Sequence, residues 1–217
     1  MERIASLAIG YLFGLFQTAF FYGKAHGIDI REHGSGNAGT TNTLRVLGRK
    51  AGLIVFVGDV LKSILAICLV RFLFAQGDTT AKYLYALYAG AGVILGHNFP
   101  FYMKFKGGKG IAATAGMVIA FHPWFVAVGV VLFFGTFFIT HYVSLGSLLV
   151  YAGIMIELVV FGQNGWFGDI PQNILYEMYA IGAFLTIMAY VKHRENIVRL
   201  IKGTERKTYL SKKEASS

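Results

Sequence analysis

Cysteine and charge are both scarce in this chain. The single cysteine, Cys68, lies inside an apolar run, which excludes an intramolecular disulfide framework and makes redox chemistry a poor candidate function. Charged residues make up 14% of the 217 residues and hydrophobic residues 55%, with a mean hydropathy of +0.57, whereas an ordinary soluble domain is about 25% charged. Water is therefore not the main solvent. Ten-residue alternating segments are missing too, and an open sheet edge would leave unpaired backbone groups in lipid, so helix is the remaining assignment. No close spacing of His, Cys and Glu suits zinc, and no metal or cofactor is expected. The charge that is present leans one way, to a net +9. It gathers at the ends of apolar runs rather than along one soluble face, which speaks for membrane orientation and against nucleic acid.

The apolar runs cover residues 4–23, 51–70, 83–103, 111–121, 123–140, 143–161 and 172–191, and predict an all-α membrane protein of about seven transmembrane helices forming a single domain over 1–217. No small-residue cleavage site follows the first run, so it is expected to be a span and not a signal peptide. Five Lys and Arg lie in residues 24–50, three in 104–110 and eight from Lys192 onward, sixteen of the twenty in the chain. That bias predicts a cytoplasmic carboxyl terminus and an amino terminus outside, in a cell (inner) membrane. The fourth run has only eleven residues, about 16 Å as a helix. The basic bias still requires it to cross, so a short helix covered by its neighbours is expected.

Polar residues concentrate at the predicted cytoplasmic ends of these runs. One cluster is Gly34-Ser35-Gly36-Asn37-Ala38-Gly39-Thr40-Thr41-Asn42 with Arg45; another runs from Gly96-His97-Asn98 through Lys106-Gly107-Gly108-Lys109-Gly110; the others are Ser144 to Ser147 and His193-Arg194-Glu195-Asn196. Glycines allow backbone N–H groups to form a nest for an anion, Ser, Thr and Asn add neutral donors, and Lys or Arg adds charge. The second cluster also opens a helix at Ile111, whose amino-terminal dipole favours an anion. It is not a Walker loop: Met103 stands where the first glycine is needed and Gly110 where Ser or Thr is needed. The plainer readings are turns flanked by topology-setting lysines for the glycine loops, and a hydrogen-bonded structural residue for His97 or His193. Asp59 and Lys62, three apart on one helical face, are expected to pair internally. Glu157 and Glu177 are assigned to the outer interface, and the stripe of Phe133, Phe134, Phe137 and Phe138 to packing or lipid contact.

Taken together, GSGNAGTTN at 34–42, GHNFP at 96–100, KGGKG at 106–110, VSL at 143–145 and HREN at 193–196 resemble the acyl-phosphate:glycerol-3-phosphate acyltransferases of bacterial membranes, the PlsY family, in order and spacing over essentially the whole chain. Thr40 departs from the alanine common there, and the tail beyond Asn196 is somewhat long. The resemblance implies transfer of a fatty acyl group from acyl phosphate to the 1-hydroxyl of sn-glycerol 3-phosphate, giving 1-acyl-glycerol 3-phosphate and inorganic phosphate. By the same carry-over Ser35, His193 and Asn196 are expected to be catalytic, and Asn37, Thr41, Asn42, Arg45, His97, Gly107, Gly108, Lys109, Gly110 and Ser144 to bind substrate. The lipid bilayer and both substrates are the expected partners, with the enzyme that makes acyl phosphate a further candidate.

The chemistry of the residues agrees with this. An acyl phosphate is a mixed anhydride with a good leaving group, so the protein chiefly has to orient two anions and stabilise an oxyanion. The His-then-Asp motif of soluble-type acyltransferases is absent: five residues beyond the six histidines stand Arg31, Ala38, Tyr102, Ala127, Gly146 and Val198. The general base is then His193 or a substrate phosphate oxygen, two alternatives the sequence leaves open. A transporter for a phosphorylated metabolite is the rival reading, because Asp59 and Lys62 sit within a span; against it, no pair of broken helices repeats in the two halves.

Overall fold

In the computed structural model the apolar runs are helical, and among the described residues, 1–209, there is no strand. Lys212 and Lys213 of the basic tail lie outside the described residues. The helices are α1 (Glu2–Gly14), α2 (Thr18–Ala25), α3 (Thr40–Phe74), α4 (Thr79–Asn98), α5 (Ile111–Phe121), α6 (Pro123–Thr140), α7 (Val143–Gln163), α8 (Gln172–Lys192) and α9 (Arg194–Ile201). Five stretches are long and apolar enough to cross a membrane: Glu2–Ala25, α3, α6, α7 and α8. The twenty residues of α4 would reach about 30 Å.

Three boundaries differ from the expectation, each for a local reason. The first run is broken between Gly14 and Thr18, although it contains no proline. The carbonyls freed there are satisfied from the side: the buried Gln17 amide donates to Gly14 O (3.2 Å) while tying the break to α4 through His97 O (2.9 Å), and Lys62 Nζ donates to Phe16 O (2.8 Å). The second run belongs to a much longer helix, because Gly48, at φ 85°, kinks α3 and joins a short polar segment to the apolar one. The third run ends at Asn98 and not at 103, since Pro100 cannot continue the hydrogen-bond ladder and residues 101–103 form a single 3-10 turn.

Lipid tails are as apolar as leucine, so burial of apolar surface cannot by itself pull such helices together; close packing of small residues can. Gly10 and Gly14 on α1 face Gly92 and Gly96 on α4, backbone against backbone. A Cβ at Gly10 would stand 2.1 Å from Ala89 O, and one at Gly96 2.3 Å from Tyr11 O. Helix α5 is short because its surroundings allow it to be. Gly116 lets α5 approach α3, where a Cβ would meet Val60 O at 2.2 Å, and Arg71 caps its last turn by donating to Ala120 O and Phe121 O. Carbonyls that would otherwise face hydrocarbon are thereby paired. At the other end of the bundle from the polar clusters, Arg3 makes a bidentate pair with Glu177 (2.6 and 2.9 Å), and Tyr88 donates to the same carboxylate (2.6 Å). Of the phenylalanine stripe on α6, Phe134 and Phe138 are exposed and Phe137 is buried.

Candidate active site

The polar clusters meet at one end of the bundle. They are carried by the amino-terminal ends of α3, α5 and α7 and the carboxyl-terminal ends of α4 and α8, with α9 beside them. Three helix amino termini therefore bring unpaired N–H groups and positive dipole ends to the same region.

The glycine loop folds back on α4. Gly107 N donates to Asn98 O (3.2 Å) and Gly108 N to His97 O (3.1 Å). These two N–H groups are taken up by the α4 carbonyls, so the glycines serve close approach and not the anion nest expected for them. A Cβ at Gly107 would lie 2.1 Å from His97 O; one at Gly108 would lie 2.1 Å from His97 Nε2 and 2.7 Å from Ala38 O. Gly110 adopts φ 81°, a left-handed conformation that glycine takes without strain, and starts α5 from it. Lys109 and the first turn of α5 are the donors left to face an anion. The Lys109 ammonium donates to Asn196 Oδ1. Its pKa is lowered to about 8, first by burial and then by the nearby Arg199 charge.

Asn196 leads to a residue that the sequence reading missed. Its Nδ2 donates to Glu205 Oε1 (2.6 Å), Ser144 Oγ donates to the same oxygen (3.0 Å), and Arg199 Nε donates to Oε2 (2.7 Å). Burial alone would raise the Glu205 pKa, but these three donors outweigh it and hold the carboxyl below its usual value. A carboxylate thus sits on Ser144, expected to bind substrate, and on Asn196, expected to be catalytic, so the donors of this corner converge on an anion. The signal available in the sequence was a lone acid between Lys202 and Arg206.

The tail around Glu205 also closes on the first loop. Arg45 donates to Arg206 O (3.2 Å) and Thr208 Oγ1 (2.5 Å), Arg206 donates to Gly34 O (3.3 Å), and Thr208 N donates to His141 O (2.9 Å). Within that loop the buried Asn42 amide is occupied by backbone: Nδ2 donates to Ile30 O and His33 O, and Oδ1 accepts from Ser35 N (2.8 Å). Its part is to fold the loop that presents Ser35. Ser35 is exposed, Asn37 and Thr41 half-buried.

His193 joins α8 to α9 and is 3% exposed. Its Nδ1 lies 2.8 Å from Ala189 O. A carbonyl only accepts, so the neutral ring carries its proton on Nδ1 and keeps the Nε2 lone pair. Burial, followed by the Lys109 charge, lowers its pKa to about 4. Among the described residues no group of three or more His, Cys, Asp or Glu is arranged to hold a metal.

Helix amino termini, a glycine loop and donors converging on an anion at one end of a multi-pass membrane bundle fit a membrane enzyme acting on anionic substrates. The comparisons with known proteins make the class specific. The family model described as glycerol-3-phosphate acyltransferase matches residues 4–203, and the chain belongs to that family. It is 39% identical over 208 residues to glycerol-3-phosphate acyltransferase 2 of Bacillus cereus, with 95% of each chain covered. It is also 39% identical over 212 residues to the glycerol-3-phosphate acyltransferase of Thermosipho melanesiensis, covering 96% of this chain and 94% of the relative. Crystal structures of PlsY (YgiH), an integral membrane glycerol 3-phosphate acyltransferase, superimpose with TM-scores of 0.81 for the glycerol 3-phosphate form and 0.79 for the lysophosphatidic acid form. Sequence identities are 29% and 28%, covering 96% and 97% of both chains respectively.

Proposed function

We propose that this glycerol-3-phosphate acyltransferase takes its acyl group from acyl phosphate and works at the cytoplasmic face of the cell (inner) membrane. Transfer to the 1-hydroxyl of sn-glycerol 3-phosphate gives 1-acyl-sn-glycerol 3-phosphate and inorganic phosphate, the opening step of phospholipid synthesis. The observation that carries this reading is the convergence of Ser144, Asn196 and Arg199 on the Glu205 carboxylate, with Lys109 bonded to Asn196. Neutral and cationic donors are already fixed in space there by the Glu205 carboxylate, so little reorganisation is needed when a phosphate or an oxyanion binds beside them.

In the reaction, the glycerol hydroxyl attacks the acyl carbonyl, the carbon–oxygen bond to phosphate breaks, and the hydroxyl proton needs an acceptor. Lys109 and the first turn of α5 hold one phosphate against the wall made by Gly107, Gly108 and Gly110, with His97 behind it. Ser35, Asn37 and Thr41 in the first loop, with Arg45, serve the other anion, and Asn42 braces them. His193 offers Nε2 to the hydroxyl and orients it. With a pKa of about 4 it is a weak base, whereas the phosphate leaving an acyl phosphate gains a full negative charge as the carbon–oxygen bond breaks and becomes strongly basic. The leaving phosphate is therefore the better final home for the proton. The acyl chain lies among the apolar helices, and the enzyme that makes acyl phosphate is the natural neighbour.

The topology that fits is seven crossings, with α1 and α2 counted as one, in a single domain whose amino terminus is outside. Purified protein given acyl phosphate and glycerol 3-phosphate tests the function directly. Inorganic phosphate should appear together with an acylated lipid product, an outcome that a transporter cannot give. Comparable turnover with acyl-CoA would overturn the assignment of the donor.

A further inference from the structure

The ion pair on α3 has a third member. Lys62 Nζ lies 2.8 Å from Asp59 Oδ1, 2.8 Å from Phe16 O and 2.9 Å from His97 Nδ1, and Asp59 Oδ1 also accepts from Thr18 Oγ1 at 3.0 Å. The side chains of Asp59, Lys62 and His97 are 1%, 5% and 3% exposed. An ammonium has three N–H donors and no acceptor. All three donors of Lys62 are matched, one on its own helix, one at the break between α1 and α2, and one at the end of α4.

This arrangement dictates the chemistry of His97. Lys62 can only donate, so Nδ1 of the imidazole must be the lone-pair nitrogen, and the neutral ring carries its proton on Nε2. That nitrogen faces the glycine loop, at the spot where a Cβ on Gly108 would come within 2.1 Å. Burying a charged pair in hydrocarbon is costly and seldom repaid in stability alone. An ion pair retained here, in contact with the wall of the site, is explained by what it does to its third member.

We propose that Lys62, held by Asp59, is a positioning residue that locks His97 as its Nε2–H tautomer and so aims a hydrogen-bond donor past Gly108 at the glycerol 3-phosphate. The inference rests on the reading that the glycine loop holds that substrate. Two double variants test it, both removing the two charges together so that neither is left unpaired. Asp59→Leu/Lys62→Met has no donor for His97 and should raise KM for glycerol 3-phosphate by about tenfold or more, the worth of one good hydrogen bond to an anion, with a smaller change in kcat. Asp59→Leu/Lys62→Gln keeps an amide N–H at that position and should bring KM back to within about threefold of the wild type, less than the worth of one net hydrogen bond. A pair that merely holds the helices together would shift both variants alike, and equal KM values would overturn the proposal. The wild-type tautomer gives an independent reading through 15N spectra of histidine-labelled protein in detergent, with His97 assigned by His97→Gln. A protonated Nε2 and bare Nδ1 are expected; a protonated Nδ1 would refute the inference even if neither double variant folds. Lys109→Ala separates the premise from the inference. If it is as active as wild type, the substrate reading of the loop fails; if it is impaired while the two double variants match each other, only the role of Lys62 fails.

Discussion

Replacing Lys109 by alanine is the sharpest perturbation of the site. The substitution removes one ammonium at the start of α5 and leaves Gly110, the helix amino terminus and the fold of the loop in place. Asn196 loses its Oδ1 partner but stays held through Nδ2 by Glu205. A charge-assisted hydrogen bond is worth about 1.5–3 kcal/mol, and each ~1.4 kcal/mol is tenfold in rate, so kcat/KM should fall by about tenfold to 150-fold. Half-burial of the lysine argues for the upper part of that range, because an exposed pair would be screened. Lys106, three residues earlier, is exposed and carries the same charge, so Lys106→Ala is the internal control and should cost less. The assay is phosphate release from acyl phosphate, with each substrate varied in turn and insertion and folding checked by detergent gel filtration. If Lys109→Ala inserts, folds and retains most of its kcat/KM for both substrates, the phosphate-cradle role of this loop is wrong.

Further outcomes follow from the same geometry. The free-enzyme pKa of Lys109, lowered to about 8, means that its charge is present below that pH and lost above it. The value of kcat/KM for glycerol 3-phosphate should therefore decline as pH rises through about 8, and Lys109→Arg should move the decline upward. Glu205→Gln can keep the acceptor for Ser144 and Asn196 only by turning its amide nitrogen toward Arg199, so it loses a charge-assisted bond of about 1.5–3 kcal/mol; both the Tm in detergent and kcat/KM should fall, and an unchanged Tm would show that the tail contact is dispensable. For topology, in a Cys68→Ser background a cysteine at position 78 should react with an impermeant external reagent in intact cells and one at position 207 should not; labelling at 207 would reverse the orientation.

The helices were legible because hydrocarbon imposes a single rule, that every backbone group be paired within the protein, and a run of uncharged residues is its direct record. What the runs concealed were the places where side chains do that pairing in place of the helix. Gln17 reads as one polar residue in an apolar stretch, yet its amide is what allows α1 and α2 to part. Arg71 is one more charge at the end of an apolar run, yet it caps the last turn of α5. Neither role follows from hydropathy, because each depends on a carbonyl supplied by another segment, dozens of residues away in the case of Arg71.

The site was legible as composition and less so as roles. Motifs rich in donors identify a loop as anion-handling, but they cannot tell a donor that faces the ligand from one that folds the loop. Asn42 and the N–H groups of Gly107 and Gly108 fall on the folding side, and only the identity of their backbone partners reveals it. Glu205 was hidden for the opposite reason. Acids repel phosphate, so a search for phosphate-binding residues passes over them, although cationic and amide donors placed for an anion need a counter-charge to hold them apart and oriented. A site assembled for an anion is thus expected to carry an acid at its edge. In this chain that acid is reached by following the bonds of Ser144, Asn196 and Arg199 outward until they meet.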